Sequence, residues 1–98
     1  MNHELFIRPE AEAELTEAHA WYEKRVRGLG GDFLLCAEAI FHAITRSPQQ
    51  YPLIFKETRR ALLHRFPYAI FFVVDDRRVT VLAVFHAKRD PRQLLKRS

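Results

Sequence analysis

Along the first half of the chain apolar residues recur at spacings of three and four; from Leu53 onward they recur at spacings of two. The first period belongs to a helix with one buried face and the second to a strand, so the pattern predicts helices followed by a sheet. Leu5–Arg8 reads as a short opening strand. Pro9 stands where its missing N–H costs nothing, at the first position of a helix. Glu10, Glu12 and Glu14 crowd the first turns and Lys24, Arg25 and Arg27 the last, each sign at the end the helix dipole favours. Ala11, Leu15, Ala18, Tyr22 and Val26 fall on one stripe, and Gly28 ends the helix. Gly30 and Gly31 then make the turn, with Asp32 as N-cap of a second helix running to about Arg46. Its apolar residues, among them Phe33, Leu34, Leu35, Ile40 and Ile44, cover more than one face. That distribution predicts contact with the first helix on one side and the sheet on the other. Ser47-Pro48 stops the helix, and Pro48 to Pro52 is loop.

Strands are expected at Leu53–Lys56, Arg59–Phe66, Tyr68–Asp75 and Val79–His86, the last two joined by a tight turn over Asp75-Asp76-Arg77-Arg78. With Asp76 and Arg77 central in that turn, Val74 pairs with Val79, Phe72 with Val81, Ile70 with Ala83 and Tyr68 with Phe85. The opposite face then carries Ala69, Phe71 and Val73 beside Thr80, Leu82, Val84 and His86. Both faces are apolar, although an antiparallel sheet commonly leaves one face to water. Leu94 and Leu95 in the segment Pro91–Ser98 are expected to cover part of the second face. A partner protein docking on Phe71, Leu82 and Val84 would cover the rest; alternatively, the strands coil tightly and bury both faces within the chain. The expected fold class is α+β: two N-terminal helices packed on a mostly antiparallel sheet with a short C-terminal segment, one domain over residues 1–98.

Composition narrows the setting. With 98 residues, 48% of them hydrophobic, and eight Phe, the chain has material for a core without cross-links. A single cysteine, Cys36, excludes an internal disulfide and fits a reducing compartment. Met1 to Ile7 has no cationic segment followed by an apolar run, and no apolar run approaches the roughly 20 residues that span a bilayer. A soluble cytoplasmic protein with no membrane partner is expected. Charge is divided unevenly: residues 1–40 hold four Lys or Arg against eight Asp or Glu, and residues 41–98 hold twelve against four. The nets of −4 and +8 sum to the +4 of the whole chain. A cationic surface built by the sheet and the C-terminus favours acidic partners, either nucleic acid or an acidic protein segment.

Candidate chemistry collects at one end of the expected sheet. Arg59, Arg60, His64 and Arg65 lie on the second of these strands, His86, Lys88 and Arg89 close the fourth, and Tyr68 opens the third beside them. Guanidinium groups grip phosphate oxygens bidentately, and His or Tyr can move a proton. Arg59, Arg60, Arg65, Lys88 and Arg89 therefore read as a phosphate-binding rim, which would hold a carboxylate-rich peptide equally well. The five histidines fall in separate elements without metal-ligand spacing, and neither a glycine-rich phosphate loop nor a serine nucleophile elbow is present. No metal and no cofactor is expected. Cys36 reads as a small core residue, and Trp21 and Tyr22 as packing against the second helix.

The runs Arg65-Phe66-Pro67-Tyr68-Ala69-Ile70-Phe71-Phe72 and Val81-Leu82-Ala83-Val84-Phe85-His86-Ala87-Lys88-Arg89-Asp90-Pro91 resemble the RelE/ParE family of bacterial toxins. So do Pro9-Glu10-Ala11-Glu12-Ala13-Glu14-Leu15, Trp21-Tyr22-Glu23 and Ser47-Pro48, and the likeness keeps the element order over nearly the whole chain. The resemblance implies the toxin half of a type II toxin–antitoxin pair, a class linked to growth inhibition and plasmid stabilization. It implies a hetero-oligomer with a cognate antitoxin, which would cover the unclaimed apolar face. ParE-like members inhibit DNA gyrase by binding, whereas RelE-like members cleave mRNA on the ribosome. By position, Arg65 matches an arginine of the cleaving members, and His86 lies near the strand end that supplies another catalytic side chain. Two features depart from that pattern: no tyrosine follows His86, and Lys56 stands alone before Arg59-Arg60 where a lysine pair is usual. The resemblance thus implies a ParE-like toxin acting by binding, with gyrase as target. The alternatives are a metal-independent, ribosome-dependent endoribonuclease using Arg65, His86 and Tyr68, and a degenerate member that only binds antitoxin and regulates the operon.

Overall fold

The computed structural model describes residues 2–97; Met1 and Ser98, the last residue of the expected covering segment, lie outside the described residues. A short strand, β1 (Glu4–Ile7), gives way at Pro9 to helix α1 (Pro9–Arg25), and α2 (Leu29–Arg46) packs back on it. The joint between the helices is tighter than the sequence pattern predicts. Gly28 takes a left-handed conformation with φ 88°, so α2 starts at Leu29. Gly30 and Gly31 therefore lie inside the helix, and Asp32 falls in its first turn instead of capping it.

The cap comes from the neighbouring helix. The Glu23 carboxylate accepts the N–H groups of Gly28 and Gly30 at 2.9 and 3.0 Å, satisfying donors that a helix start leaves unpaired. Gly30 also approaches α1 so closely that a Cβ there would lie 2.6 Å from the carbonyl oxygen of His19. These backbone hydrogen bonds, led by the one from Gly28, hold the Glu23 carboxyl below the ordinary glutamate value of 4.5. A depressed acid stabilises the fold above its unfolded pKa, and that contribution is lost as pH falls through the folded value. The amide NMR signals of Gly28 and Gly30 are accordingly expected to titrate together with a midpoint below 4.5, and Glu23→Gln should abolish the transition. An ordinary midpoint would remove Glu23 as the cap.

Strands β2 (Leu53–Phe55), β3 (Thr58–Leu62), β4 (Tyr68–Val74) and β5 (Arg78–His86) complete a five-stranded sheet in the order β1-β5-β4-β3-β2. The neighbours are antiparallel except β1, which runs parallel to β5 with Ile7 opposite Val81. Two helices on a mostly antiparallel sheet make the α+β fold that the change of period predicts. Three local expectations change. The strand expected over Arg59–Phe66 ends at Leu62, Pro48–Gln50 forms a single 3-10 turn within the expected loop, and Pro91–Lys96 forms a 3-10 segment. Helix α2 buries Phe33, Ala37, Ile40, Phe41 and Ile44 but leaves Leu35 66% exposed, so its apolar surface is not covered all round.

The hairpin register holds near the turn and slips farther out. Val74 lies opposite Val79 and Phe72 opposite Val81, as expected; a bulge at Leu82 then brings Phe71 opposite Ala83, Ile70 opposite Val84 and Tyr68 opposite His86. One extra residue sends every later side chain to the other face. Val84 joins Ile70 and Phe72 in the core under the helices. Phe85 joins Ala69, Phe71, Leu82 and Ala83 on the outer face, where Leu94, 1% exposed, closes over them. The exposed patch expected on Phe71, Leu82 and Val84 does not form, because the chain buries all three: Val84 inside the helix-side core, Phe71 and Leu82 in the outer cluster that contains Leu94.

Candidate functional site

Where β1 stops, the edge of β5 is finished by side chains. The Arg8 N–H donates to the Val81 carbonyl at 3.1 Å, and beyond it no strand of the described residues lies beside β5 on this side. Glu14 of α1 takes over, its Oε1 accepting the Val84 N–H at 2.9 Å, while the Arg97 guanidinium donates to the Leu82 carbonyl at 3.1 Å. Arg97 also grips Glu14 bidentately at 3.0 and 2.8 Å, which pushes the guanidinium above its ordinary pKa. The gap between α1 and this part of β5 is a cleft of about 210 Å³ lined by Glu14, Glu17, Trp21, Tyr68, His86 and Arg89, with Ala18 and Val84 at its base.

Tyr68 and His86 meet in the cleft as opposite residues of β4 and β5, their rings 5.4 Å apart and edge-on. The Lys88 backbone N–H donates to His86 Nδ1 at 3.1 Å, so in this arrangement Nδ1 is an acceptor and the neutral ring carries its proton on Nε2. Burial pushes the Tyr68 phenol above its ordinary pKa, and the Glu17 charge adds to the shift. A phenol tuned this way donates hydrogen bonds and is a poor proton acceptor at neutral pH. Behind it, the Phe33 ring lies 5.2 Å from Tyr68 and 5.5 Å from both Tyr22 and Phe66. Tyr22 is packed as the sequence predicts; Trp21 instead stays half-exposed with the Arg25 guanidinium 3.3 Å over its ring.

Of the expected cationic rim, only Arg89 is among the residues that line this cleft. Arg59, opposite Phe72, donates to the carbonyls of Tyr51 and Gln49 at 2.6 and 3.3 Å, with its Nε buried and unpaired among the described residues. Arg60 points to the outer face opposite Phe71. Arg89 is tied to Gln93 at 2.6 Å and to Glu14 at 3.5 Å, its guanidinium 4.0 Å from the Phe85 ring centroid. Lys88 is exposed. Arg65 sits in the β3–β4 loop, its guanidinium exposed 3.6 Å from Asp32 and outside the residues that line the Tyr68–His86 cleft. Its φ of 70° is left-handed, a conformation that costs an L-residue roughly 1–2 kcal/mol.

Residues 5–91 match the family described as "ParE toxin of type II toxin-antitoxin system, parDE". The chain belongs to the ParE toxin family. Among solved structures, the chromosomal ParDE toxin–antitoxin system from P. aeruginosa is similar at 19% identity, with TM-score 0.65, covering 86% of this chain and 95% of that one. That likeness speaks for the ParE fold. No curated protein sequence matches the chain significantly. No helix among the described residues of this ParE-family toxin is long and apolar enough to cross a membrane. Three contributors to the site carried no signal of that role in the sequence: Glu14, Glu17 and Arg97. Glu14 and Glu17 look like ordinary first-half acids of an amphipathic helix, and Arg97 like one more terminal cation.

Proposed function

We propose that this ParE-family toxin arrests bacterial growth by binding DNA gyrase in the cytoplasm, and that a cognate antitoxin neutralises it in a hetero-oligomeric complex. The observation that supports binding over cleavage is the separation of Arg65 from the Tyr68–His86 cleft. A phosphodiester-cleaving site needs its phosphate clamp and its proton carriers around one phosphate, within hydrogen-bond reach. Here the clamp pairs with Asp32, the phenol is held protonated, and His86 Nδ1 is engaged by backbone. Of the expected rim, the cations whose side chains have no buried or backbone commitment among the described residues, Arg60, Arg65 and Lys88, suit a spread binding surface on a large anionic partner.

Purified toxin is expected to inhibit gyrase supercoiling, and its induction in cells should stop DNA synthesis before protein synthesis. Supercoiling left untouched at micromolar excess would overturn the gyrase reading. The second reading, ribosome-dependent mRNA cleavage, draws on the Tyr68–His86 contact at 5.4 Å. It predicts early collapse of protein synthesis, with cleavage abolished by Arg65→Ala in a protein that still folds.

A further inference from the structure

The bulge and the C-terminal turn leave one part of the outer sheet face uncovered. Leu94 seals the side formed by β4 and β5, but the side formed by β2 and β3 opens into a groove of about 300 Å³ between β2 and the C-terminal turn. Ile54, Phe55 and Pro91 form its apolar walls, and Arg60 and Arg92 stand at its rim. Leu62, two residues beyond Arg60 on the same face of β3, extends the apolar surface and is 55% exposed. The two guanidiniums differ in what they hold. Arg92 is paired with Asp90 at 2.8 Å, whereas the Arg60 guanidinium makes no ion pair or hydrogen bond among the described residues, its backbone N–H alone donating to the Pro52 carbonyl.

We infer that this groove is the docking site for an acidic, apolar-containing segment of the antitoxin, with apolar side chains seated on Ile54, Phe55 and Leu62 and a carboxylate on Arg60. The inference rests on the proposed toxin–antitoxin reading and says where on the toxin that partner sits. Charge complementarity selects the occupant. Of the two guanidiniums that line the groove, Arg92 is neutralised by Asp90 and Arg60 is free, no acid is among the described lining residues, and residues 41–98 carry twelve Lys or Arg against four Asp or Glu. A nucleic acid is the poorer fit: Phe55 is the one aromatic ring lining the groove, no row of cations lines it to follow a phosphate backbone, and one of its two guanidiniums is already paired with Asp90. A peptide with alternating apolar and acidic residues uses both the walls and the rim.

The test uses the full chain and the polypeptide encoded by the reading frame adjacent to its gene, with affinity measured by calorimetry. Leu62→Asp and Arg60→Glu are each expected to weaken binding roughly tenfold or more, as for anchors at the centre of an interface. Leu35→Asp, at an exposed position on α2, should leave it unchanged. Because both groove substitutions are at solvent-accessible positions, circular dichroism should show an unaltered fold; if Leu62→Asp unfolds, Arg60→Glu carries the test. Wild-type affinity in both groove variants, or loss only in Leu35→Asp, would overturn the groove while leaving the toxin–antitoxin reading intact. No binding by the wild-type chain would remove that reading and the inference with it. Arg60→Glu that abolishes binding to single-stranded RNA, with antitoxin binding unchanged, would assign the groove to nucleic acid instead.

Discussion

Phe33→Ala is expected to destabilise the protein by about 3–5 kcal/mol, the range for emptying a fully buried phenylalanine site. The ring has no exposed surface and touches Tyr22, Phe66 and Tyr68, one from α1, one from the β3–β4 loop and one from β4. Rings on three separate elements cannot collapse together into the space without moving backbone. In a protein of this size the melting midpoint should fall by at least about 12 °C. Leu35→Ala on the same helix, largely in water, should stay within about 0.5 kcal/mol of wild type. A functional consequence follows from Tyr68, which leans on Phe33 on one side and faces His86 on the other. Loosening it should broaden the His86 NMR signals under conditions where the variant is still folded. If urea unfolding shows a loss below about 1 kcal/mol, the aromatic cluster does not hold the helical layer to the sheet.

Glu14→Ala is expected to cost about 2–3 kcal/mol, because one truncation strips several groups of their partner. The Val84 N–H loses its acceptor, and the mostly buried Arg97 guanidinium loses its counter-charge. With 12% of the Glu14 side chain and 19% of the Arg97 side chain exposed, water restores only part of what is removed. Arg97 also holds the Leu82 carbonyl, so the loss should spread to the C-terminal turn and to Leu94 above the outer cluster. Glu14→Gln keeps an acceptor for Val84 and should cost about 1 kcal/mol less than the alanine variant. Combined with Arg97→Ala in a double-mutant cycle, Glu14→Ala should show a coupling of at least about 1 kcal/mol. Additive losses, or unchanged hydrogen exchange at Val84, would mean that the pair does not close the edge of β5.

Much of this architecture could be read from short stretches of chain. Pro9 at the helix start and the change of period near Leu53 place the helices and most strands. The tight turn is local too: Asp75 Oδ1 accepts the N–H groups of Arg77 and Arg78 at 3.0 and 2.9 Å. Such features are legible because they depend on neighbours within a few residues. Tyr68 and His86 could be singled out as neighbours at one sheet end, since a hairpin brings its own strand ends together whatever the details of register.

The tertiary structure decided what the alternation left degenerate. Residues Val81 to Phe85 are all apolar, so either face of β5 suits them and no polar position reports the bulge at Leu82. That bulge buries Val84 under the helices and leaves Phe71 and Leu82 to the chain's own C-terminal turn. The Arg cluster disperses for a related reason: charge counts along the sequence say how many guanidiniums a surface holds, and only the fold says which are already bound to carbonyls or carboxylates. Residues 14 and 97 meet across almost the whole chain, and β1 pairs in parallel with the final strand. Nothing in local periodicity encodes contacts at that separation; they follow from the packing that closes β5 once β1 has run out.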